Sequence, residues 1–410
     1  MGNPGAFELA NVLADAQRKE SLTDWGAGEF ERPLRVLLAD YADADLNAIG
    51  THILRSGIVH SLRMRLRAQE WVRRHPEILD ERIAAPVVVV GMMRSGTTLL
   101  QRLLAADPRF DCAYGWEVVE VAPRFDHRFA LDQKFSGVDP RIAISEMREA
   151  KSRELAPDLF AIHPMYAREA EEEIVFLADA FLSHVPESGA HLPNYRSWLD
   201  EQDFTPAYDY LHRMLRFLQW QKRQRGLEGH QQAQRWVLKS PAHLGYLDLL
   251  RAQFADLHIV HMHRDPRTTI ASGASLNATL HAMHADTVDL NRVGAQWLQR
   301  MGWTNDRAMA IRDGWDLETS PEACGIATRV TDIAFDDAVA DPIGQVSRIY
   351  EAVGLPLTVE AEGAMLRWLD ERPREAARPA YGLESYGLRP EQVDERFALY
   401  NKRFRHDARE

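Results

Sequence analysis

The hydrophobic pattern alternates between short β-branched runs and longer stretches with apolar residues at helical spacing. The clearest run, PVVVVG, is followed by a turn rich in Gly and Ser and then by Leu99, Leu100, Leu103 and Leu104 at helical spacing. This run is far shorter than the ~18 apolar residues that a membrane-spanning helix needs. The pattern therefore predicts a buried strand, a loop and a helix in succession.

Three further units repeat the order of strand and helix. In WVLKSPAHLGYLDLL, Ser240 can cap a helix and Pro241 can occupy its first position. In DLHIVHMHRDPRTTIAS, the apolar run ends at Arg264 and Pro266 again begins a helix. The segment IATRVTDIAF predicts a fourth strand, with a helix in DPIGQVSRIYEAVG. Strands separated by helices predict an α/β fold, a P-loop-like parallel sheet flanked by helices, with ligands at the carboxyl ends of the strands.

The remaining regions are predicted to be mainly helical. Residues 1–85 are expected to form a helical segment packed on a main domain at 86–410, in which residues 125–235 form a helical, aromatic-rich insertion. These aromatic residues fit either a buried core or the wall of an acceptor pocket. The arginines near residue 70 are interpreted as a solvated helix face paired with acidic residues. They are Arg63, Arg65, Arg67, Arg73 and Arg74.

Composition narrows the class of protein. The chain has 410 residues, 45% of them hydrophobic, and a formal charge of −12. This apolar fraction supports a large core, and the negative charge gives no general attraction to nucleic acid or anionic lipid. The two cysteines, Cys112 and Cys324, lack the spacing of a disulfide framework or a zinc site. Because neither a signal peptide nor a membrane span is recognisable, we expect a cytoplasmic protein. The pattern does not define an oligomeric state.

The strongest chemical signal is GMMRSGTT, from Gly91 to Thr98, between a predicted strand and a predicted helix. Backbone N–H groups at such a turn and at the helix N-terminus stabilise an anion. Gly91 and Gly96 have the spacing of a P-loop, but Thr97 stands where a nucleotide triphosphatase has Lys, and Arg94 supplies the cation. A loop that binds a single 5′-phosphate can use an Arg and hydroxyl groups, whereas γ-phosphoryl transfer needs the Lys and a metal ion.

A second anion site is predicted in HRDPRTTIASGAS. Arg264 lies at a strand end and Ser272 lies eight residues further on, so the two side chains can clamp a phosphate. Asp265 fits a helix cap or, in a kinase, a magnesium ligand. Lys239 ends another predicted strand and is expected in the same crevice. Two anion sites and a third cation indicate a nucleotide that carries phosphate at two separate positions.

Taken together, these residues resemble the sulfotransferases that use 3′-phosphoadenosine 5′-phosphosulfate (PAPS). RSGTT resembles the 5′-phosphosulfate loop of that family, and RDPRTTIAS resembles its 3′-phosphate motif. The resemblance extends through WVLKSPAHL, TDIAFDDAVADPIGQVSRIYEAVGLPL and SYGLRPEQVDERFALY, and covers about residues 85–405. The most similar branch is the bacterial group related to protein-tyrosine sulfotransferases, which also begins the loop with Arg.

The resemblance implies a role for each matching residue. Arg94 is expected to bind the 5′-phosphosulfate and to stabilise charge on the bridging oxygen, and Lys239 is expected to stabilise the transferring sulfuryl group. Arg264 and Ser272 are expected to bind the 3′-phosphate. Backbone and hydroxyl groups of the loop are expected to hold the 5′-phosphate. They belong to Ser95, Gly96, Thr97 and Thr98.

The general base has two candidates. Glu117 in YGWEVVE follows the loop helix, as a Glu does in the tyrosine-protein branch, but about two residues later. His163 in FAIHPMY lies where the His base of the cytosolic branch would be sought. A general base must accept the acceptor's proton while the acceptor attacks sulfur. Glu117 is the first expectation and His163 the second.

The sequence thus predicts a metal-independent enzyme that transfers the sulfuryl group of PAPS to a hydroxyl or amine of a small, apolar or aromatic acceptor, leaving adenosine 3′,5′-bisphosphate. One alternative is a P-loop kinase or nucleotide triphosphatase, and another is a non-catalytic nucleotide-binding protein of the same fold. His281, His284 and Asp286 in HAMHAD could form a metal site, but the three-residue spacing of the histidines offers no third ligand at a defined distance. The two histidines are therefore interpreted as surface residues.

Overall fold

The computed structural model of the chain divides into two units. It describes residues 5–26, 29–126, 138–225, 233, 235–318, 330–372 and 382–404. Cys324, one of the two cysteines of the sequence, lies outside the described residues. The first unit comprises Met1–Ile83, Ala113–Gln231 and Asn277–Val288. The second comprises Ala84–Cys112, Gln232–Leu276 and Asp289–Glu410. The division into a segment at 1–85 and a domain at 86–410 stays a prediction.

The second unit contains a parallel sheet. Its strands are β1 (Val87–Gly91), β2 (Phe110–Asp111), β3 (Arg235–Lys239), β4 (His258–His263) and β5 (Val330–Ala334). They lie in the order β2-β3-β1-β4-β5, and every neighbouring pair is parallel. Val89 pairs with Lys239, and Gly91 pairs with Met262. The carboxyl ends of β1, β3, β4 and β5 therefore lie along one edge, as the predicted α/β fold requires.

Helices occur in both units. In chain order they are α1 (Leu9–Glu20), α2 (Glu31–Asp43), α3 (Ala48–Arg74), α4 (Thr97–Ala105), α5 (Gly115–Val119), α6 (Pro140–Leu155), α7 (Pro157–Ile162), α8 (Ile174–Asp179), α9 (Pro193–Leu199), α10 (Thr205–Arg225), α11 (Leu247–Gln253), α12 (Pro266–His284), α13 (Leu290–Glu318), α14 (Phe335–Ala340), α15 (Pro342–Val353), α16 (Val359–Glu371), α17 (Pro390–Arg396) and α18 (Ala398–Phe404). Short 3₁₀ turns lie at Pro76–Asp80, Pro186–Ser188, Pro241–Tyr246 and Leu383–Tyr386.

The local signals for strands and helix starts are confirmed. Every residue of β1 is buried, as expected of a β-branched strand that is covered on both faces of a parallel sheet. The Ser240 hydroxyl accepts a hydrogen bond from the Ala242 N–H, and Pro241 begins the turn that leads into α11. Pro266 begins α12. The proline positions therefore fix where each strand end turns into a helix.

The first unit is helical in its described residues. In it, α3 packs against α1, α8 and α10, and the largest buried side chains include Trp71, Tyr208 and Phe217. The helical character of residues 1–85 and of the described part of 125–235 is thus confirmed. No described helix has both the length and the apolar character needed to cross a membrane.

Candidate active site

The loop between β1 and α4 has a backbone shape that depends on its glycines. Gly91 has φ 155° and Gly96 has φ 88°, which L-residues rarely adopt. A Cβ on Gly91 would lie 2.6 Å from the Ser95 Oγ, and one on Gly96 would lie 2.8 Å from the Phe335 ring. Arg94 also has a positive φ, of 73°, which costs energy in a residue with a side chain. The surroundings therefore hold this loop in one strained conformation.

This loop presents hydrogen-bond donors that fit an anion. Ser95 is fully buried, and its Oγ has no hydrogen-bond partner among the described residues. Gly96 is the N-cap of α4 and has no side chain to cap the first turn, which Thr97 and Thr98 begin. Buried hydroxyls and helix N-terminal N–H groups are normally satisfied, so an anionic hydrogen-bond acceptor fits here.

The two predicted anion motifs meet at the carboxyl edge of the sheet. The Arg94 Nε donates a hydrogen bond to the Ser272 Oγ at 3.2 Å, although the two residues are 178 positions apart. The Arg264 Nη1 donates to the Arg94 carbonyl oxygen at 2.7 Å. The Arg264 guanidinium also lies 3.8 Å from the centroid of the Phe335 ring. Both predicted phosphate-binding arginines are therefore linked to each other, and Ser272 contacts Arg94.

Lys239 lies at this same edge. It is the last residue of β3, it is 3% exposed, and its register partner Val89 precedes Gly91 by two positions. The Ser240 cap that follows turns the chain directly after Lys239. The structure therefore gathers Lys239, Arg94 and Arg264 at the edge where a parallel sheet of this type binds its ligands.

A partly buried network next to Arg264 escaped the sequence analysis. The His263 Nε2 donates to an Asp332 carboxylate oxygen at 2.7 Å. Arg312 donates to both oxygens of Asp332, at 2.7 and 2.8 Å, and its Nη1 also donates to the His261 Nδ1 at 2.9 Å. The only sequence signal is the two-residue spacing of His261 and His263, which puts both on one face of β4. The partners come from α13 and β5, which that spacing does not reveal.

The charges in this network favour a structural brace. Burial alone would raise the pKa of Asp332, but the hydrogen bonds from His263 and Arg312 hold it well below its usual range. Burial lowers the pKa of both His261 and His263. The ligand atoms of the two histidines and Asp332 lie within 4.8 Å of one another, as in a metal site. Because Arg312 already donates to two of these three groups, they fit a brace for the ends of β4 and β5.

Glu117 lies in the first unit and has two close partners. Its Oε2 accepts a hydrogen bond from the Tyr114 N–H at 3.0 Å, which closes a capping box at the start of α5. The same oxygen lies 2.9 Å from the Lys222 Nζ, in an ion pair whose side chains are 1–2% exposed. The Lys222 Nζ also lies 4.8 Å from the centroid of the Tyr114 ring. Among the described residues, both contacts of the Glu117 carboxylate use Oε2.

His163 has a different setting. It is the C-cap of α7, where its N–H donates to the Leu159 carbonyl oxygen at 2.8 Å, and its side chain is half-buried. Its role as an alternative base stays a prediction.

Comparison with known proteins identifies the family. A protein-family model described as "Sulfotransferase family" matches residues 86–359 of the sequence, which is more than half of the chain. The chain belongs to the sulfotransferase family. The matched span includes every residue proposed for the site of this family member. They are Arg94, Ser95, Gly96, Thr97, Thr98, Glu117, His163, Lys239, Arg264 and Ser272.

Named relatives support the same family. The chain is 27% identical over 284 residues to the omega-hydroxy-beta-dihydromenaquinone-9 sulfotransferase Stf3 of Mycobacterium bovis, and equally to that of Mycobacterium tuberculosis. These matches cover 66% of this chain but only 63% of the length of the relatives.

Solved structures agree over nearly the whole chain. Sulfotransferase STF1 of Mycobacterium tuberculosis H37Rv is 30% identical, with a TM-score of 0.79 over 96% of this chain and 98% of that one. Sulfotransferase STF9 of Mycobacterium avium is 24% identical, with a TM-score of 0.81 over 97% of each chain, and supports the fold. The predicted resemblance to sulfotransferases is confirmed.

Two interpretations of charged residues in this sulfotransferase family member need correction. His281 and His284 are buried rather than on the surface, and the His284 Nδ1 donates to the Gly189 carbonyl oxygen at 2.9 Å. Burial of His284 lowers its pKa. Arg65 and Arg67 are also buried rather than solvated, at 5% and 2% exposure. The spacing of charged residues along a helix did not predict that these side chains are buried, because the residues that they contact come from other elements.

Proposed function

We propose that the chain transfers the sulfuryl group of PAPS to a hydroxyl or amine of a small apolar or aromatic acceptor. The observation that carries the donor part is the meeting of the Arg94 loop with Arg264 and Ser272, beside the unsatisfied Ser95 hydroxyl. Family membership supports the reaction class. A donor with phosphate groups at its 5′ and 3′ positions matches two linked arginines better than a nucleoside diphosphate does.

The transfer forms one bond to sulfur and breaks another. The acceptor oxygen or nitrogen attacks the sulfur, the bond from sulfur to the 5′-phosphate oxygen breaks, and adenosine 3′,5′-bisphosphate leaves. Arg94 and Lys239 stabilise the negative charge that grows on the 5′-phosphate, because charge stabilisation is usually the largest contribution to such a reaction. Arg264 and Ser272 hold the 3′-phosphate, while Ser95 and the first turn of α4 hold the 5′-phosphate.

The acceptor's proton passes to Glu117 in this proposal. Both described contacts of its carboxylate fall on Oε2, so Oε1 is the oxygen that can accept the proton. The ion pair with Lys222 holds the carboxylate in one orientation. His163 remains the second candidate, and comparison of the two variants distinguishes them.

The acceptor is proposed to be apolar and to present a hydroxyl group. By its name, the relative Stf3 acts on omega-hydroxy-beta-dihydromenaquinone-9, a hydroxylated lipid. We therefore place alcohols with apolar bodies ahead of amines in an acceptor screen. The helical residues 125–235 are proposed to contribute to acceptor binding.

Calorimetric titration of adenosine 3′,5′-bisphosphate without magnesium tests the donor assignment. We expect Arg264→Ala to weaken binding about 100-fold, since it removes a charged contact to phosphate. Arg267→Ala is the matched control, because Arg267 lies three residues after Arg264, is exposed at the start of α12 and pairs with Asp394. ADP is the control ligand, and EDTA should leave sulfuryl transfer intact. Preference for ADP with magnesium, or equal binding by both variants, would reject the proposal in favour of a kinase-like site.

A further inference from the structure

The first unit contains a cavity whose lining includes none of the residues named above for donor binding or catalysis. Its volume is about 540 Å³, within the range of ~300–1,000 Å³ typical of small-molecule sites. Its walls come from α1, α3, α5, α6 and α8. Apolar side chains from three of these helices form one part of the lining. They are Val59, Val118, Val119 and Val175.

The cations that line this cavity outnumber its acids. Lys19, Arg55, Arg63 and Arg148 line it, and Asp179 is the one carboxylate in the lining. This local excess of positive charge contrasts with the formal charge of −12 for the whole chain. Because potentials are focused in concave sites, such an arrangement attracts an anionic group.

The acidic partners of these arginines do not cancel the excess. Asp15 is shared by Arg55 and Arg18, at 2.5 and 2.6 Å. Glu20 is likewise shared by Arg63 and Arg67, at 2.5 and 2.6 Å.

The third arginine of the lining, Arg148, follows the same pattern, but Lys19 does not. Glu120 is shared by Arg148 and Arg67, at 2.9 and 3.3 Å. Lys19 makes no ion pair with any described residue. Each of the three carboxylates thus contacts two guanidinium groups, and the side that carries Lys19 keeps a positive charge.

Gly57 is an exposed residue in the lining of this cavity. It lies within α3, yet a Cβ at this position would have no atom within 4 Å. A glycine inside a helix is less stabilising than alanine, so packing of the described residues does not explain Gly57. Open space next to Gly57 is consistent with access for a ligand.

We propose that this cavity binds a compact organic anion, with a carboxylate or sulfate group at Lys19, Arg55 and Arg148 and an apolar body against the partly exposed Val119 and Val175. The shared chemistry is an acidic head on an apolar body. A carboxylate ligand would come from general metabolism, and a sulfate ester would be a product of the family's own reaction class.

Octyl sulfate, octanoate and 1-octanol, each kept below its micelle concentration, test this proposal by calorimetry. We expect one saturable site per chain for at least one of the two anions and binding at least tenfold weaker for octanol. Their relative affinities identify the preferred head group. Inorganic sulfate, the head group alone, is expected to bind weakly. Equal binding of octanol and the anions, or no saturable binding, would overturn the proposal.

Two pairs of variants locate the site. Gly57→Phe should fill the cavity and abolish octyl anion binding, whereas Gly314→Phe, at a helical glycine that is also open to space, should not. Lys19→Ala should weaken binding about threefold, the size expected for a solvent-screened charge pair. Lys151→Ala removes an exposed lysine outside the lining and should change nothing. If Gly57→Phe retains its fold by circular dichroism and still binds like the wild type, the ligand lies elsewhere and the proposal is wrong.

Discussion

Asp332 in the second unit is half-buried and Asp179 in the first is fully buried, and their pKa values move in opposite directions. Burial is the largest influence on both. For Asp332 it is outweighed by hydrogen bonds from His263 and Arg312, which hold the pKa well below its usual range. For Asp179 burial raises the pKa to about 6, because the opposing influences are only a Ser61 hydroxyl and the charge of Arg65.

The two arginines explain the difference. Arg312 donates to both oxygens of Asp332. The Arg65 guanidinium instead lies over the Phe30 and Tyr210 rings, 4.4 and 4.9 Å from their centroids. A carboxylate removed from water is thus stabilised more by charged donors directed at its oxygens than by a neutral hydroxyl and a charge that faces aromatic rings. Directed partners give fixed charges, and the proposed nucleotide site at the edge that holds Arg94 and Arg264 needs fixed charges.

Glu117 extends this comparison, since it is a buried carboxylate of the first unit with a directed cationic partner. Glu117→Gln should lower kcat about 1,000-fold, within the usual range for loss of a general base, while nucleotide affinity changes little. Steady-state kinetics with an active acceptor, together with the calorimetric titration, measure both quantities.

His163→Ala is the comparison variant for the base. If His163→Ala lowers kcat and Glu117→Gln only lowers stability, Glu117 is a helix cap with an ion pair and the base is His163.

Asp332→Asn should remove the brace of the second unit. Breaking a buried ion pair costs ~3–5 kcal/mol, and the solvent-exposed part of Asp332 reduces our expectation to about 2 kcal/mol at pH 7. The pKa of Asp332 is depressed in the folded state, so its contribution exists above the unfolded pKa and disappears as pH falls through the folded value. Urea unfolding at several pH values checks this, with the exposed Asp337→Asn as control. Equal losses in both variants would show that Asp332 is not a brace.

Ser95→Ala separates ligand binding from stability at the loop. The Ser95 hydroxyl is buried without a described partner, so its removal should leave the free energy of unfolding unchanged or slightly higher. Adenosine 3′,5′-bisphosphate should bind about tenfold more weakly, since one hydrogen bond to a charged phosphate is lost. Thr98→Ala tests the neighbouring position on α4 in the same titration. A loss of stability without a change in affinity would make Ser95 a structural residue.

The carboxyl edge of the sheet could be predicted from sequence because its features are local. Glycines mark the strained loop, Ser240 and two prolines mark the helix starts, and Arg264 marks a strand end. The partners of charged side chains could not be predicted. Lys222 reaches Glu117 from the far end of α10, and Arg312 reaches β4 and β5 from α13. Such pairs depend on tertiary packing, which residue spacing along one element does not encode.

Asp179→Asn should have the smallest effect, and the opposite sign. The pKa of Asp179 is about 6 when folded and near 3.8 when unfolded, so the folded state binds more protons between these values and stability falls as pH rises. A neutral amide avoids that loss. After subtracting the weakened hydrogen bond from Ser61, we expect a gain of about 1 kcal/mol at pH 7.5 and a flatter stability profile between pH 4 and 6. Urea unfolding measures both. A lower stability of Asp179→Asn at pH 7.5 would mean that Arg65 or Tyr210 moves onto the Asp179 carboxylate in solution. The two units would then hold their buried carboxylates in the same way.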